Sequence, residues 1–316
     1  MLTMLDIIKQ NGADPVTGLI DETVLAHPEI TSIAARTIKG EKYKTMVRTA
    51  LPVTGFRSAN QGMDLNSSKY EEREVETFIY NAPIQADKAV ADKSEDGATA
   101  FIAREAKGVL ESCFQTLSRC FYYGRNVTYG GDAKAYGGLL DFYDPVNYVV
   151  DAGGTSANTS TSVWAIRTDP EHVQWVMGVD GQFQISDLTL QRVLDSNNKP
   201  YMAYYQELLS YPGVQHGSVR GVSRIKKITN DAGHTLNDDL LAQLVALHPL
   251  SDQPNMILMN RRGRAQLQRS RTVTLFGNAA NQVNGMIANV APLPTEHNGI
   301  PIFVTDGISN VESLTL

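Results

Sequence analysis

The feature that most constrains this chain is a long run of apolar residues at helical spacing. Ala98, Ile102, Ala106, Val109, Cys113, Leu117 and Cys120 follow one another by steps of 4, 4, 3, 4, 4 and 3, close to the 3.6-residue period of an α-helix. Phe101, Leu110, Phe114 and Phe121 widen the stripe. Ser94 is the expected N-cap, with Glu95 and Asp96 in a first turn whose dipole favours negative charge, and Gly124 is the expected stop. A helix of about 26 residues is a rod of about 39 Å, well beyond the common three-turn length. Such a rod is a spine against which a sheet can lie.

Before the rod the chain has little core of its own. Residues 1–43 read as an arm in which short apolar clusters (MLDII, TGLIDETVL, ITSIAARTI) are separated by Gly12, Pro15, Gly18, Pro28 and Gly40. Leu25, Ile30, Ile33 and Ala34 must therefore lie on a larger body, either this subunit or a neighbour. KTMVRTALPV at 44–53 and REVETFIYNAPIQA at 73–86 flank the polar, turn-rich stretch FRSANQGMDLNSSKYEE. In the second limb Val75, Thr77 and Ile79 alternate with Glu76, Phe78 and Tyr80, the period of a strand with two unlike faces. The reading is a long β-hairpin with limbs at 44–53 and 73–86 and a polar tip. Two strands alone bury too little apolar area to offset the ordering cost, so something else must support it.

After the rod the texture turns to β. VWAIRT (163–168) and HVQWVMGV (172–179) flank Asp169-Pro170-Glu171 and predict a hairpin, while GLLDFYDPVNYVV and VRGVSRIKKIT read as further strands. LNDDLLAQLVALH (236–248) is an amphipathic helix capped by Asn237 or Asp238 and ended by Pro249, its apolar face made by Leu240, Leu241, Leu244, Val245 and Leu247. NMILMN is a buried strand that runs into the helix RRGRAQLQRSR, and GIPIFVTDGI is a strand bounded by Asn298-Gly299 and Gly307. Helices and strands interleave without regular βαβ alternation, so the fold class is α+β.

No catalytic constellation is legible. Six histidines are scattered without the i, i+3 or i, i+4 spacing of a helical metal site, and no nucleophile elbow, phosphate loop or dinucleotide turn occurs. The carboxylates of Glu71-Glu72 and Asp238-Asp239 are adjacent in sequence and project on different faces. Cys113 and Cys120 lie about 10 Å apart along a helix, too far for a disulfide, on its buried stripe. The expectation is no enzyme, no metal and no cofactor. The first residues lack the basic segment of a secretory signal and no run of 18 apolar residues occurs, so neither secretion nor a membrane is expected.

One local feature stands against an acidic background of net charge -6: MILMNRRGRAQLQRSRT at 256–272 carries Arg261, Arg262, Arg264, Arg269 and Arg271. Three uses are open. The arginines can pair with this chain's own carboxylates, they can bridge subunits, since the guanidinium fork suits bidentate carboxylate contacts, or they can grip nucleic acid. Against the third, no aromatic lies between Leu258 and Phe276 to stack on a base, and the net charge has the wrong sign.

The assembled order is arm, long hairpin, spine helix, β-rich body, then helix, strand, helix and terminal strand. In that order the chain resembles the major capsid proteins of tailed bacteriophages, with the fold called the Hong Kong ninety-seven type. The stretches that carry the likeness are IAARTIKGEKYKTMVRTALPVTGFRSANQG, AYGGLLDFY, VWAIRTDPEHVQWVMG, RGVSRIKKI, NMILMNRRGRAQLQ and EHNGIPIFVTDGI, which together cover nearly the whole chain. The resemblance implies an N-terminal arm (1–43), an extended loop lying over a neighbouring subunit (44–93), the spine helix of a peripheral domain (94–135) and a β-rich body (136–220). It further implies a mainly axial domain (221–300) and a terminal strand returning to the peripheral domain (301–316).

Function follows from the same likeness: a subunit that self-assembles, as hexamers and pentamers, into an icosahedral shell around double-stranded DNA without reading its sequence. The shell would be built in the host cytoplasm and become the virion capsid. Arg57, Lys69, Glu71, Glu72, Arg73, Arg261, Arg262, Arg264, Arg269 and Arg271 become candidate inter-subunit contacts. A separate scaffolding protein is expected, since no scaffolding segment is visible before the arm, together with a portal and a decoration protein. No covalent cross-link from Lys69 is expected, because nothing singles out an asparagine partner. The rival readings are an encapsulin-like cargo compartment and a nucleic-acid-binding protein using 256–272.

Overall fold

The computed structural model describes residues 22–178, 181, 183–277 and 291–316. The arm's first apolar clusters lie outside the described residues. From Glu22 onward the arm lies on its own subunit. Helix α1 (Pro28–Ser32) starts on a proline, where a missing N–H leaves no bond unmade. Glu29 and Ile33 are buried, Leu25 and Ile30 are half-buried and Ala34 is exposed. Strand β1 (Ala35–Ile38) then pairs in parallel with the body.

The hairpin is narrower than 44–93. Strands β2 (Lys42–Ala50) and β3 (Lys69–Glu76) pair antiparallel from Lys42 opposite Glu76 to Ala50 opposite Lys69. Strand β4 (Tyr80–Asp87) leaves them for another sheet. The alternation read through 75–80 breaks at the crossing: Val75 is buried but Ile79 is 76% exposed, while Phe78 packs on the core. Backbone bonds from Thr77 N to Glu41 O (2.9 Å) and from Phe78 N to Pro212 O (2.9 Å) fasten that crossing.

A short helix, α2 (Lys88–Ala91), is capped by the Asp87 carboxylate, and the spine follows as α3 (Ala98–Tyr123). Its length and its stop at Gly124, with φ of 54°, are as the periodicity predicts. Its start is not. Gly97 at φ 86° occupies the cap position, and its N–H closes a turn onto Ser94 O. Ser94, Glu95 and Asp96 therefore lie outside the helix, and Asp96 instead pairs with Arg104 at 2.7 Å. Cys113 and Cys120 are buried free thiols.

The body also departs from the expected strands in two places. Residues 139–142 form a helical turn, α4 (Leu139–Phe142), because the Asp141 carboxylate accepts from Gly138 N and starts it; only β5 (Val149–Asp151) is extended. The hairpin expected around Asp169 opens. Its turn forms, with the Asp169 carboxylate accepting from the N–H groups of Glu171 and His172. Yet β6 (Thr161–Ile166) and β7 (Val173–Gly178) enter different sheets, because each is buried nearly throughout and takes neighbours on both sides.

The remaining elements are β8 (Gln184–Ile185), β9 (Thr189–Leu194), β10 (Pro200–Ser210), β11 (Pro212–His216), β12 (Val222–Ile228), α5 (Asp238–Ala246), β13 (Met256–Met259), α6 (Arg261–Gly277), β14 (Glu296–His297) and β15 (Ile300–Val304). Asn237 caps α5, its side chain accepting from Leu240 N at 2.8 Å. A six-stranded mixed sheet runs β14-β15-β13-β6-β12-β5. It takes strands from both 136–220 and 221–300, so residue 220 is a boundary in the chain and not in space. Smaller sheets are β1-β7-β11 and β4-β10-β8, with β9 paired to β10.

Successive residues of β6 feed two cores. Trp164 and Ile166 face α3, Trp175 and Tyr136, whereas Val163 and Ala165 face Leu241 and Leu244 of α5 and Leu267 of α6. The C-terminal tail closes the first core around a buried ion pair. Arg224 on β12 is 1% exposed; it donates to Ser162 Oγ (2.8 Å), Glu312 Oε2 (3.1 Å) and Tyr143 Oη (3.3 Å), and lies 5.1 Å from the Trp164 ring. Tyr123 at the end of α3 donates to Glu312 Oε1 at 2.5 Å.

Two stability predictions follow from these buried charges. Arg224→Met leaves Glu312 buried without its cation, and urea unfolding of the unassembled subunit should show a loss of about 3–5 kcal/mol. Glu29 is the second case. Burial raises its carboxyl above the ordinary value, against the lowering effect of hydrogen bonds from Ser118 and Thr305. The folded form thus holds the proton more tightly than the unfolded chain, so stability is full below the unfolded value and falls as pH rises above it. Glu29→Gln should raise the thermal midpoint at pH 8 and change it little near pH 4.

Candidate assembly surfaces

The sequence-predicted contact residues form two groups that the fold keeps apart. The hairpin carries Arg57, Lys69, Glu71, Glu72 and Arg73, and α6 carries the five arginines.

The hairpin has two unlike faces. On one, Lys42, Lys44, Met46 and Arg48 stand opposite Glu76, Glu74, Glu72 and Tyr70. Lys44 reaches Glu72 at 2.5 Å and Glu74 at 3.4 Å, Lys42 reaches Glu74 at 3.2 Å, and Arg48 lies 5.5 Å from the Tyr70 ring. The bonds to Lys42 and Lys44 hold the Glu74 carboxyl below its ordinary value. This cross-strand ladder gives the hairpin local order without a core beneath it. The other face, with Thr45 and Val47, overhangs an open groove of about 1090 Å³ whose far wall includes Pro170, Glu171, His172 and Arg220.

The tip is not the polar loop that its composition suggests. Leu51 is 71% exposed and Val53 72%, and Phe56 and Leu65 stand fully in solvent. Arg57 folds back onto Gln61 O at 3.0 Å, beside Asn60 at φ 64°, and Lys69 opens β3 at the far end of the ladder. Arg73 turns toward the body, donating to Gly217 O at 2.9 Å. A second projection, missed in the sequence, is the β9–β10 ribbon, whose Leu190, Leu194 and Met202 are exposed. Its apolar residues, Leu190, Val193 and Leu194 on β9 and the run Tyr201–Tyr205 on β10, follow no period of two, which gave no signal of a face.

On α6 three of the five arginines are engaged within the subunit. Arg261 pairs with Asp306 at 2.6 Å, and Arg262 donates to Thr159 O (2.7 Å) and Asn310 O (3.2 Å). Arg271 grips Asp238 with both ends of its fork, at 2.8 and 2.7 Å. Those bonds, with one from His297, hold the Asp238 carboxyl low. The side chains of Arg264 and Arg269 make no bond to a described residue; Arg269 is exposed and Arg264 half-exposed.

A family model described as major capsid protein GP7 matches residues 28–315. In structure the chain is similar to a chain of bacteriophage Epsilon15, with a TM-score of 0.74 and 21% identity over 99% of this chain and 97% of that one. It is similar to the capsid of bacteriophage JBD30, with a TM-score of 0.50 and 8% identity over 94% of each chain. The SrpI encapsulin of Synechococcus elongatus aligns with a TM-score of 0.47 and 8% identity over 72% of this chain and 96% of that one. No curated protein matches the chain in sequence.

The ladder predicts its own weak point. Lys44→Glu places a third carboxylate beside Glu72 and Glu74, and hydrogen exchange should show faster exchange of the amides of 43–48 while those of β6 and β13 keep their protection.

Proposed function

The chain belongs to the major capsid protein GP7 family and is a structural subunit of a tailed-phage capsid shell, from which premise we propose that the hairpin β2–β3 lies over a neighbouring subunit. One observation carries the reading: Leu51, Val53, Phe56 and Leu65 project into solvent beyond the far end of the ladder. In water such a tip is an unpaid cost, and in a shell of many copies the next subunit removes it. Glu71, Glu72, Lys69 and Arg57 then border that contact.

The spine α3 with the β4-β10-β8 sheet corresponds to a peripheral domain, and the six-stranded sheet with α5 and α6 to an axial domain gathered round the axes of hexamers and pentamers. Arg264 and Arg269, uncommitted among the described residues, are the arginines best suited to reach across to another copy. With Arg261, Arg262 and Arg271 occupied and a net charge of -6, the shell encloses double-stranded DNA without gripping its sequence. The role is structural and not enzymatic, assembly takes place in the host cytoplasm, and scaffolding, portal and decoration proteins are separate chains. The match to a major capsid family favours this reading over a cargo compartment.

Deleting residues 56–72 tests the hairpin. The variant should fold, with a sedimentation coefficient of a single subunit, and form no shells by electron microscopy. Normal shells from that deletion would refute the role.

A further inference from the structure

The root of the hairpin is built unlike the rest of it. Two glutamines, Gln174 on β7 and Gln215 on β11, are 3% and 2% exposed there. Gln215 Oε1 accepts from the Tyr43 hydroxyl on β2 and from Gln174 Nε2 at 2.6 Å, and Gln215 Nε2 donates to Pro170 O at 2.8 Å. Arg73, on the opposite strand of the hairpin, donates to Gly217 O at 2.9 Å. Both strands are therefore bonded to the body through β11 and the residue after it. At the same place Gly213 lets β11 touch the hairpin's end, since a Cβ there would lie 2.4 Å from Glu76 O.

Apolar packing at this root is slight, with Val75, Ile38 and Val176 as its buried members. Apolar contact tolerates sliding and rotation, whereas buried amides must keep their partners within hydrogen-bond distance and angle or lose them to a dry environment. Burying two amides is therefore a poor way to gain adhesion and a good way to hold one orientation. Orientation matters because the hairpin is a lever. The seven steps from Tyr43 to Ala50 span about 23 Å, so a swing of about 10° at the root moves the far end by about 4 Å, a full van der Waals contact distance.

We propose that the Tyr43–Gln215–Gln174 chain, with Arg73 on Gly217 and the close approach at Gly213, is a stiff joint that confines the hairpin to a narrow range of angles to the body, the range that hexamers and pentamers share, and so sets the curvature of the shell. The inference rests on the reading of the hairpin as the limb that lies over a neighbour. In a head-to-tail contact repeated round a closed shell, the angle between limb and body becomes the angle between successive subunits, and only certain rotations close. Tyr43, Gln174, Gln215 and Arg73 are positioning residues in this sense, because they act on assembly through the limb that they orient.

The test uses shells assembled from the full-length chain, with diameters measured by electron microscopy and subunit stability by thermal unfolding. Tyr43→Phe with Gln174→Met and Gln215→Met removes the buried donors and acceptors of the chain together while keeping side-chain volume. Gly213→Ala displaces the same joint by a methyl group. The expected result is loss of the single shell diameter, with particles of mixed size or open sheets. A merely destabilised subunit would instead give fewer particles of the parental diameter, and that outcome overturns the joint, as do unchanged shells. If either of these variants fails to fold, Tyr43→Phe alone, which removes one hydroxyl from a half-buried ring, carries the same two outcomes. Normal shells from the chain lacking residues 56–72 would sink the underlying reading, and the joint with it; uniform shells from the variants sink the joint alone.

Discussion

A guanidinium and a carboxylate sealed together from water hold the body in one arrangement. Arg224 comes from β12, the strand next to the short edge strand β5 of the six-stranded sheet, and Glu312 from the tail, and each is almost fully buried. Neither charge could stay there without the other, because an unpaired ion in a dry core is among the costliest defects a fold can carry. Their partners extend the constraint. Tyr123 brings in the end of the spine, Ser162 the neighbouring strand and Tyr143 the segment after α4. The tail, the spine and the sheet must therefore all be in place before any of the three is. That interdependence makes the body a rigid platform, without which the hairpin could hold no defined angle.

Against that body the hairpin is a study in the opposite condition. Its order comes from the cross-strand ladder of Lys42 and Lys44 with Glu72 and Glu74, interactions that water and salt screen easily. Its tip presents apolar side chains that the chain itself leaves uncovered. The two properties belong together. A ladder made of exposed ion pairs keeps the strand edges charged, which discourages indiscriminate strand pairing between free subunits, while the exposed apolar side chains are confined to the tip. A hairpin stiffened by an apolar stripe along its length would have offered every other copy a sticky edge.

What the sequence discloses and what it hides divide along physical lines. Periodicity located α3 to its last residue, because a long apolar stripe and a glycine stop are local signals. It also located β13 running into α6, α5, and the strand after Asn298-Gly299. The helix start was misread because Ser94-Glu95-Asp96 has good cap chemistry, while the backbone reversal at Gly97 comes from where the preceding turn must deliver the chain. The Asp169 turn was legible and the hairpin was not. Turn chemistry reports the reversal of four residues, and which sheet each strand joins is decided by partners distant in sequence. Of the candidate surfaces, the hairpin limb was legible from its lack of a core. The pairing of Arg271 with Asp238 and the Arg224–Glu312 bond were invisible for the same reason, since nothing local marks which carboxylate, 33 or 88 residues away, a guanidinium will meet.

The same distinction explains why the arginine run misleads at first sight. Five arginines in a short segment look like a single basic surface, and a helix beginning at Arg261 spreads them round its circumference. Position then assigns each a different task. Arg262, half-buried at the helix start, satisfies carbonyls of Thr159 and Asn310, a structural duty that keeps the tail against the sheet. Arg271 completes a cluster with Asp238 and His297, tying α6 to the first turn of α5 and to β14. Charge density in sequence is thus a poor measure of charge available to a partner. What counts is the number of cations left after the fold has taken its own, and by that count α6 leaves two among the described residues, Arg264 and Arg269. Two isolated cations suit a contact with another acidic subunit, where each needs a single carboxylate, better than a grip on a polyanion that rewards a continuous stripe.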